Sequence, residues 1–412
     1  MVNFERFVLD NGLVVLVHED NTTPMAVMNI LYDVGARDEE ERMTGFAHLF
    51  EHLMFEGSKN IPNYDGPLQN AGGSNNAFTS NDITNYYLTV PAQNIETGFW
   101  LESDRMLELA FLQEKLDVQK KVVIEEYKQR YLNQPYGDVW LLLRPLVYTQ
   151  HPYLWPTIGK EIKHIEDAEL EDVKNFFFKH YAPNNANLVV AGNVTLAQVK
   201  QLAEKWFAPI PKREVTTRNL PKEPKQLEQR RLKVERDVPA DLLTIAFPMP
   251  ERSHPDYFIY DLITDILSSG NTSRLYQSLV KEQQIFTEIG AYVMGSYDPG
   301  LIVVSGKLDK KFSMQDGEKA IWAELDRLQS SPVKEAELQK VKNKLDTREK
   351  FSLMNILNIA MKLATSELLG DANNINTELD SYNKIELKDI ERIAKDVFRI
   401  ENSNILEYYA KK

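Results

Sequence analysis

Apolar and polar residues alternate through residues 4 to 35 around a turn at Asp10-Asn11-Gly12, which predicts strands over 12–18 and 26–32. The period then changes. From 44 to 56 apolar residues fill the segment almost all round, which predicts a buried helix with Thr44 as N-cap and Gly57 as terminator. Two histidines and a glutamate are unusual inside so apolar a helix. Alternation returns at 76–80 and 84–90, predicting another hairpin, and helices are expected near 94–110 and 113–132. A short apolar run at 188–192 predicts a buried strand and 196–206 a helix.

The second half repeats the first. Leu170-Glu171-Asp172-Val173 and Asn187-Leu188-Val189 match Leu387-Lys388-Asp389-Ile390 and Asn404-Ile405-Leu406 at a constant offset of about 217. Near the start of each half a strand leads into an apolar helix ended by glycine. These are His48-Leu49-Phe50-Glu51-His52 with Gly57, and Asp261-Leu262-Ile263-Thr264-Asp265 with Gly270. The metal-type residues of the first copy are missing from the second. The pattern predicts an α+β chain of two homologous halves, each a mostly antiparallel sheet with helices packed on it. Residues 1–212 would form the first domain and 227–412 the second, joined by a linker over 213–226 rich in Pro, Lys, Arg and Thr.

With 412 residues, 43% of them hydrophobic, the chain has material for more than one core. A net charge of −13 leaves no basic surplus for phosphates, so nucleic acid is not an expected partner. There is no cysteine, which removes disulfides, thiolate catalysis and Cys-type zinc sites together. Any metal must therefore use His and carboxylates. No run of about 18 apolar residues occurs, so no membrane span is expected, and residues 1–7 lack a signal-peptide pattern. The expected compartment is the cytoplasm, or the periplasm if a signal peptide has been removed.

In a helix the positions i, i+3 and i+4 share one face, so His48, Glu51 and His52 project into the same space. Two imidazoles so placed can bind one zinc ion per chain. A catalytic zinc takes three protein ligands and keeps one position for water. Glu51 beside that water would act as general base and pass the proton to a leaving amine. With 7 His in the chain, a chance His-x-x-Glu-His is expected on the order of 0.01 times. The third ligand is sought in the helix 113–132, where two adjacent carboxylates compete. Glu126 shares a face with Gln119, Val122 and Val123, whereas Glu125 lies beside Lys121 and Lys128 on the solvent side, which favours Glu126.

His48-Leu49-Phe50-Glu51-His52 with Leu53-Met54-Phe55-Glu56-Gly57-Ser58, then Asn76-Ala77-Phe78-Thr79-Ser80 with Thr84-Asn85-Tyr86-Tyr87, then Val122-Val123-Ile124-Glu125-Glu126, together resemble the pitrilysin family of zinc metallopeptidases. Insulin-degrading enzyme and the mitochondrial processing peptidase are members. The resemblance runs over nearly the whole chain, including Ser273-Arg274-Leu275-Tyr276. It implies a clamshell-like peptidase subunit, zinc on His48, His52 and Glu126, and Glu51 as base. It also makes Asn76, Ala77, Phe78 and Thr79 the strand edge on which an extended peptide pairs.

Two departures from the family pattern stand out. Gln119 occupies a position beside the metal site where members often carry a second Glu. In the second half, members commonly carry an Arg and a Tyr that reach the substrate carbonyl, and here Val280 and Thr287 stand in their places. Some members divide the work between a zinc-motif subunit and an Arg/Tyr subunit, and this chain resembles the former. The resemblance thus implies an endopeptidase for unfolded peptides or oligopeptides, paired with a homologous Arg/Tyr-bearing chain, or with itself as a homodimer. The alternative is a noncatalytic structural or assembly subunit of a peptidase-like complex. A serine hydrolase finds no Gly-x-Ser-x-Gly elbow.

Overall fold

In the computed structural model, which describes every residue except 216, 217, 332 and 412, the chain forms two α+β units, each built on one mostly antiparallel sheet. The first sheet contains β1 (Glu5–Val8), β2 (Val14–Glu19), β3 (Met25–Tyr32), β4 (Ser74–Thr79), β5 (Thr84–Pro91) and β6 (Ala186–Gly192). Their spatial order is β1-β2-β6-β3-β5-β4. The second sheet contains β7 (Arg230–Arg236), β8 (Leu242–Met249), β9 (Phe286–Met294), β10 (Gly300–Leu308) and β11 (Asn404–Ala410), in the order β7-β11-β8-β10-β9.

These two orders are one order. Apart from β1, which has no counterpart, replacing β2, β6, β3, β5 and β4 by β7, β11, β8, β10 and β9 converts the first sheet into the second. The single parallel contact recurs as well, β2 with β6 and β7 with β11, while all other pairs are antiparallel. The offset read from sequence holds at element level. β3 spans Met25–Tyr32 and β8 Leu242–Met249, and the helices Leu170–His180 and Leu387–Val397 keep the same spacing.

The central strands are buried on both faces, which requires helices on both sides. In the second unit, Leu243, Ile245, Phe247 and Met249 of β8 point into one core with the helix Tyr257–Ser268. Leu242 and Ala246 point into another with Leu143 and Val147 of the helix Val139–Val147. The period of two along one strand thus serves two cores. The first sheet uses the same plan. The helix Ile356–Leu368 packs on β6 and β3, where Asn187 Nδ2 donates to the Ala364 carbonyl over 2.9 Å.

Compactness follows packing, not chain order. The first unit comprises Met1–Arg130, Trp155–Pro221 and Lys350–Asn376, and the second Tyr131–Leu154, Lys222–Glu349 and Thr377–Lys412. Residues 131–154 and 350–376 therefore each group with the unit opposite to the one that the contiguous halves 1–212 and 227–412 would give them. The unit boundary at Pro221/Lys222 lies within 213–226, of which 216 and 217 are outside the described residues. The segment is not a free tether. Arg213 donates to the carbonyls of Tyr181, Met106 and Leu107, and Arg218 pairs with Asp33 and Asp38, all within the first unit.

Candidate metal centre

The helix carrying the two histidines runs Phe46–Leu53, and its N-cap is Gly45, not Thr44. Gly45 has φ of +88°, and a Cβ there would meet the Ile158 carbonyl oxygen at 2.7 Å, so only glycine fits. A glycine cap leaves the first helical N–H groups without a side-chain acceptor. Glu39 supplies one from outside. Its two oxygens accept from Gly45 N and Ala47 N, each at 2.9 Å, while the carboxylate itself is buried. Burial pushes its carboxyl well above the ordinary range against the pull of these amides. Thr44 instead ties the helix entry to the segment around residue 160. Its Oγ1 accepts from Lys160 N at 2.7 Å and contacts His164 Nδ1 at 2.8 Å.

At the other end of the helix the donors converge. The nearest ligand atoms of His48, His52 and Glu126 all lie within 4.8 Å of one another. His48 Nε2 is 3.7 Å from Glu126 Oε1 and His52 Nε2 is 3.5 Å from Glu126 Oε2. Donors around one tetrahedral zinc, with bonds of about 2.1 Å, are themselves separated by about 3.4 Å. The spacing and the N, N, O donor set therefore fit a single zinc ion. Glu126 comes from the helix Gln113–Tyr127 and is half-buried, whereas neighbouring Glu125 is exposed. Helix facing in the sequence separates the two in the same way.

Surrounding groups aim these donors. His52 Nδ1 lies 3.2 Å from Gln119 Oε1, an atom that can only accept, so Nδ1 carries the proton and Nε2 is left with its lone pair. Gln119 is oriented by donating its Nε2 to Glu56, which in turn pairs with Lys115 at 2.9 Å. A carboxylate thus supports the site one residue further out than the family pattern places it. Arg130 pairs with Glu126 at 2.8 Å. The imidazole of His52, then His48 and Arg130, close against it hold the Glu126 carboxyl below its ordinary range. Burial drives His48 down to about 4. For His52 burial is outweighed by Glu126, Glu51 and Gln119, and the net direction is up.

Glu51 points toward β4, where Thr79 Oγ1 donates to its Oε2 over 2.6 Å. Burial raises the Glu51 carboxyl and the Thr79 hydrogen bond opposes that rise. Asn76, Ala77, Phe78 and Thr79 lie on β4, the outer strand of the first sheet, with one edge unpaired by any strand among the described residues. Asn76 Oδ1 accepts from Ala77 N at 2.8 Å on this strand. Val280 falls in the helical segment Tyr276–Glu282 and Thr287 on β9, both in the second unit.

Sequence reasoning missed Glu39, Glu56 and Arg130, and the pair formed by Arg105 and Glu102 in the first-unit core. Arg105 is buried, donates to both Glu102 oxygens and stacks over Phe55, Tyr64 and Tyr86 at 5.2, 4.6 and 4.4 Å. The i, i+3 spacing of Glu102 and Arg105 was the available signal. Burial alone does not mark a ligand. His180 is equally enclosed and packs on Phe176 at 4.6 Å, with burial taking it down to about 3, yet it belongs to no donor cluster among the described residues.

Two histidines and a carboxylate on two packed helices, with a second carboxylate beside them, form a donor cluster whose chemistry and spacing suit one metal ion. Residues 14–137 match the family described as Insulinase (Peptidase family M16), and 167–345 match its companion, Peptidase M16 inactive domain. The chain belongs to this insulinase and pitrilysin family of zinc proteases. It is 28% identical over 401 residues to the zinc protease PqqE of Helicobacter pylori, covering 96% of this chain and 90% of that one. It is 29% identical over 257 residues to the mitochondrial-processing peptidase subunit beta of Saccharomyces cerevisiae, covering 61% and 55%. The crystal structure of a protease from Helicobacter pylori superposes with a TM-score of 0.92 at 26% identity, covering 99% of this chain and 100% of the other. Among the described residues no helix is long and apolar enough to cross a membrane.

Proposed function

We propose that the chain is a zinc-dependent endopeptidase that hydrolyses unfolded peptides or oligopeptides, working with a homologous subunit that carries the Arg/Tyr pair. The observation that carries this reading is the convergence of His48, His52 and Glu126 within 4.8 Å, with Glu51 on the same helix face. In this reading His48, His52 and Glu126 hold one zinc ion and Gln119 fixes the His52 tautomer. Zinc, when bound, supplies Lewis acidity toward water and the peptide carbonyl. Glu51 takes a proton at Oε1, the oxygen that Thr79 leaves free, and returns it to the leaving amine. The open edge of β4 takes the peptide backbone as an added strand, with the Asn76 side chain giving up the Ala77 N–H to the incoming carbonyl. Backbone pairing explains a preference for extended, unfolded chains, because a folded substrate has no free strand to offer. The proposed compartment remains the cytoplasm, or the periplasm for a chain that has lost a signal peptide.

Val280 and Thr287 favour the two-subunit arrangement over a self-sufficient enzyme or a homodimer, since neither side chain can supply a charged or phenolic donor to an oxyanion. The same substitutions favour the second reading, a noncatalytic assembly subunit. Retention of every donor at the metal centre weighs against it. Glu51→Gln separates the two: it should keep zinc at one per chain while cleavage of an unstructured peptide falls by about 10²- to 10⁴-fold. Unchanged turnover removes Glu51 from the base role. Assaying the chain alone and then mixed with a homologous Arg/Tyr-bearing subunit tests the pairing, and full activity alone refutes it.

A further inference from the structure

We propose that Thr79 is a positioning residue for Glu51, its hydroxyl locking one carboxylate oxygen so that the strand that receives the peptide also sets the direction of the base. The inference rests on the reading of Glu51 as base. Along β4 the half-buried residues are Asn75, Ala77 and Thr79, and the exposed ones Ser74, Asn76 and Phe78. The period of two therefore turns Thr79 to the face against which the Phe46–Leu53 helix packs, while Phe78 is turned away.

The hydroxyl is held in place from below. Ser80 Oγ accepts from Asp82 N and Ile83 N at 3.1 Å each, and Ser80 N donates to the Ile83 carbonyl at 2.8 Å. The Ser80 and Asn81 carbonyls accept from Ala36 N at 3.1 Å and Arg37 N at 2.8 Å. With the end of β4 fastened on both sides and a β-branched side chain, Thr79 has little freedom about χ1. Its single proton is committed to Glu51 Oε2 at 2.6 Å, so it has none to donate to a peptide carbonyl. This divides the work within the Asn76 to Thr79 strand. The backbone of the strand meets the peptide, and the Thr79 side chain serves the base. A peptide registered on β4 is thereby registered on Glu51 through a single residue.

Thr79→Val removes the hydroxyl at constant shape, and Thr79→Ser retains it. In the zinc-loaded full chain, assayed with the homologous subunit on a quenched-fluorescent unstructured peptide, Thr79→Val should lower kcat by about 10- to 100-fold with KM within about twofold. Thr79→Ser should recover most of that loss, and zinc content should stay unchanged in both. Peptide Kd, measured in the Glu51→Gln background, should not respond to Thr79→Val by more than about twofold. Infrared difference spectra of the zinc-free chain should show a carboxylate band shift on Thr79→Val that vanishes in the Glu51→Gln background. The infrared arm decides the question even for a chain without turnover. An unchanged kcat, a weakened Kd or an absent band shift overturns the proposal. Turnover by Glu51→Gln instead brings down the parent reading, and is told apart because it does not involve Thr79.

Discussion

Each unit lays an apolar helix against the edge strand of its sheet, Phe46–Leu53 against β4 and Tyr257–Ser268 against β9, but the polar residues on the two helices have opposite fates. In the first, His48 and His52 meet Glu126 from a neighbouring helix. In the second, the positions at the same distance from the helix-ending glycine, Gly57 in the first unit and Gly270 in the second, are Asp261 and Asp265. The Tyr382 hydroxyl donates to Asp261 Oδ2 at 2.7 Å, and the positive charges of Arg348 and Lys344 act on Asp265, whose carboxyl burial and the Asp261 charge push up. The first unit sets imidazoles against a carboxylate; the second sets one carboxylate on a tyrosine hydroxyl and leaves the other within reach of lysine and arginine charges. The fold asks only that partly buried polar groups on this helix find partners. Whether those partners make a cluster of possible metal donors or a set of hydrogen bonds is left to a handful of side chains.

Metal removal should break the comparison most strongly. If zinc at a thousandfold excess over its Kd stabilises the first unit by about 4 kcal/mol, chelation should abolish cleavage and raise hydrogen exchange in the helices 46–53 and 113–127, leaving 257–268 unchanged. Equal loss of protection in both units would show that the two are not energetically separate at these helices. Next in size is Glu39→Gln. The carboxylate sets one oxygen on Gly45 N and the other on Ala47 N, and an amide replaces one of these acceptors by an NH2 donor, so a loss of about 1–3 kcal/mol in thermal stability is expected, with weaker zinc binding by about tenfold. Unaltered stability and zinc affinity would show that Glu39 does not anchor the helix. The smallest effect on metal content is expected from grafting the motif onto the second unit as Asp261→His, Thr264→Glu and Asp265→His. Zinc should stay at one per chain, because the charges that act at position 265 are the cationic ones of Lys344 and Arg348, which oppose a bound zinc ion. A second zinc by metal analysis would show that the helix sequence alone makes the site.

Much of this molecule is legible without the structure. The strands β3, β5 and β6 and the helix Leu196–Trp206 fall within about two residues of their expected bounds, because apolar periodicity is a local property. The face shared by His48, Glu51 and His52 follows from helix geometry alone, and the same geometry separates Glu126 from Glu125. The expected N-cap is off by one residue because Thr44 has the right chemistry for a cap, but Gly45 carries the left-handed turn that brings the chain into the helix. The cap's acceptor is Glu39, six residues before the turn, and no short-range rule links the two.

The sequence by itself determined the repeat, the two-sheet α+β class and the donors on one helix, since each depends on spacing within a few residues or on a constant offset between the halves. Only the tertiary structure decided which segments belong to which compact unit. The helices Val139–Val147 and Ile356–Leu368 are each amphipathic enough to cover a sheet, and their pattern does not say whose. The structure alone likewise set Thr79 against Glu51, Gln119 between His52 and Glu56, and Asp261 on Tyr382. These contacts join residues 28 to 121 positions apart, and a hydrogen bond requires placement to a few tenths of an ångström, which periodicity cannot specify and packing can.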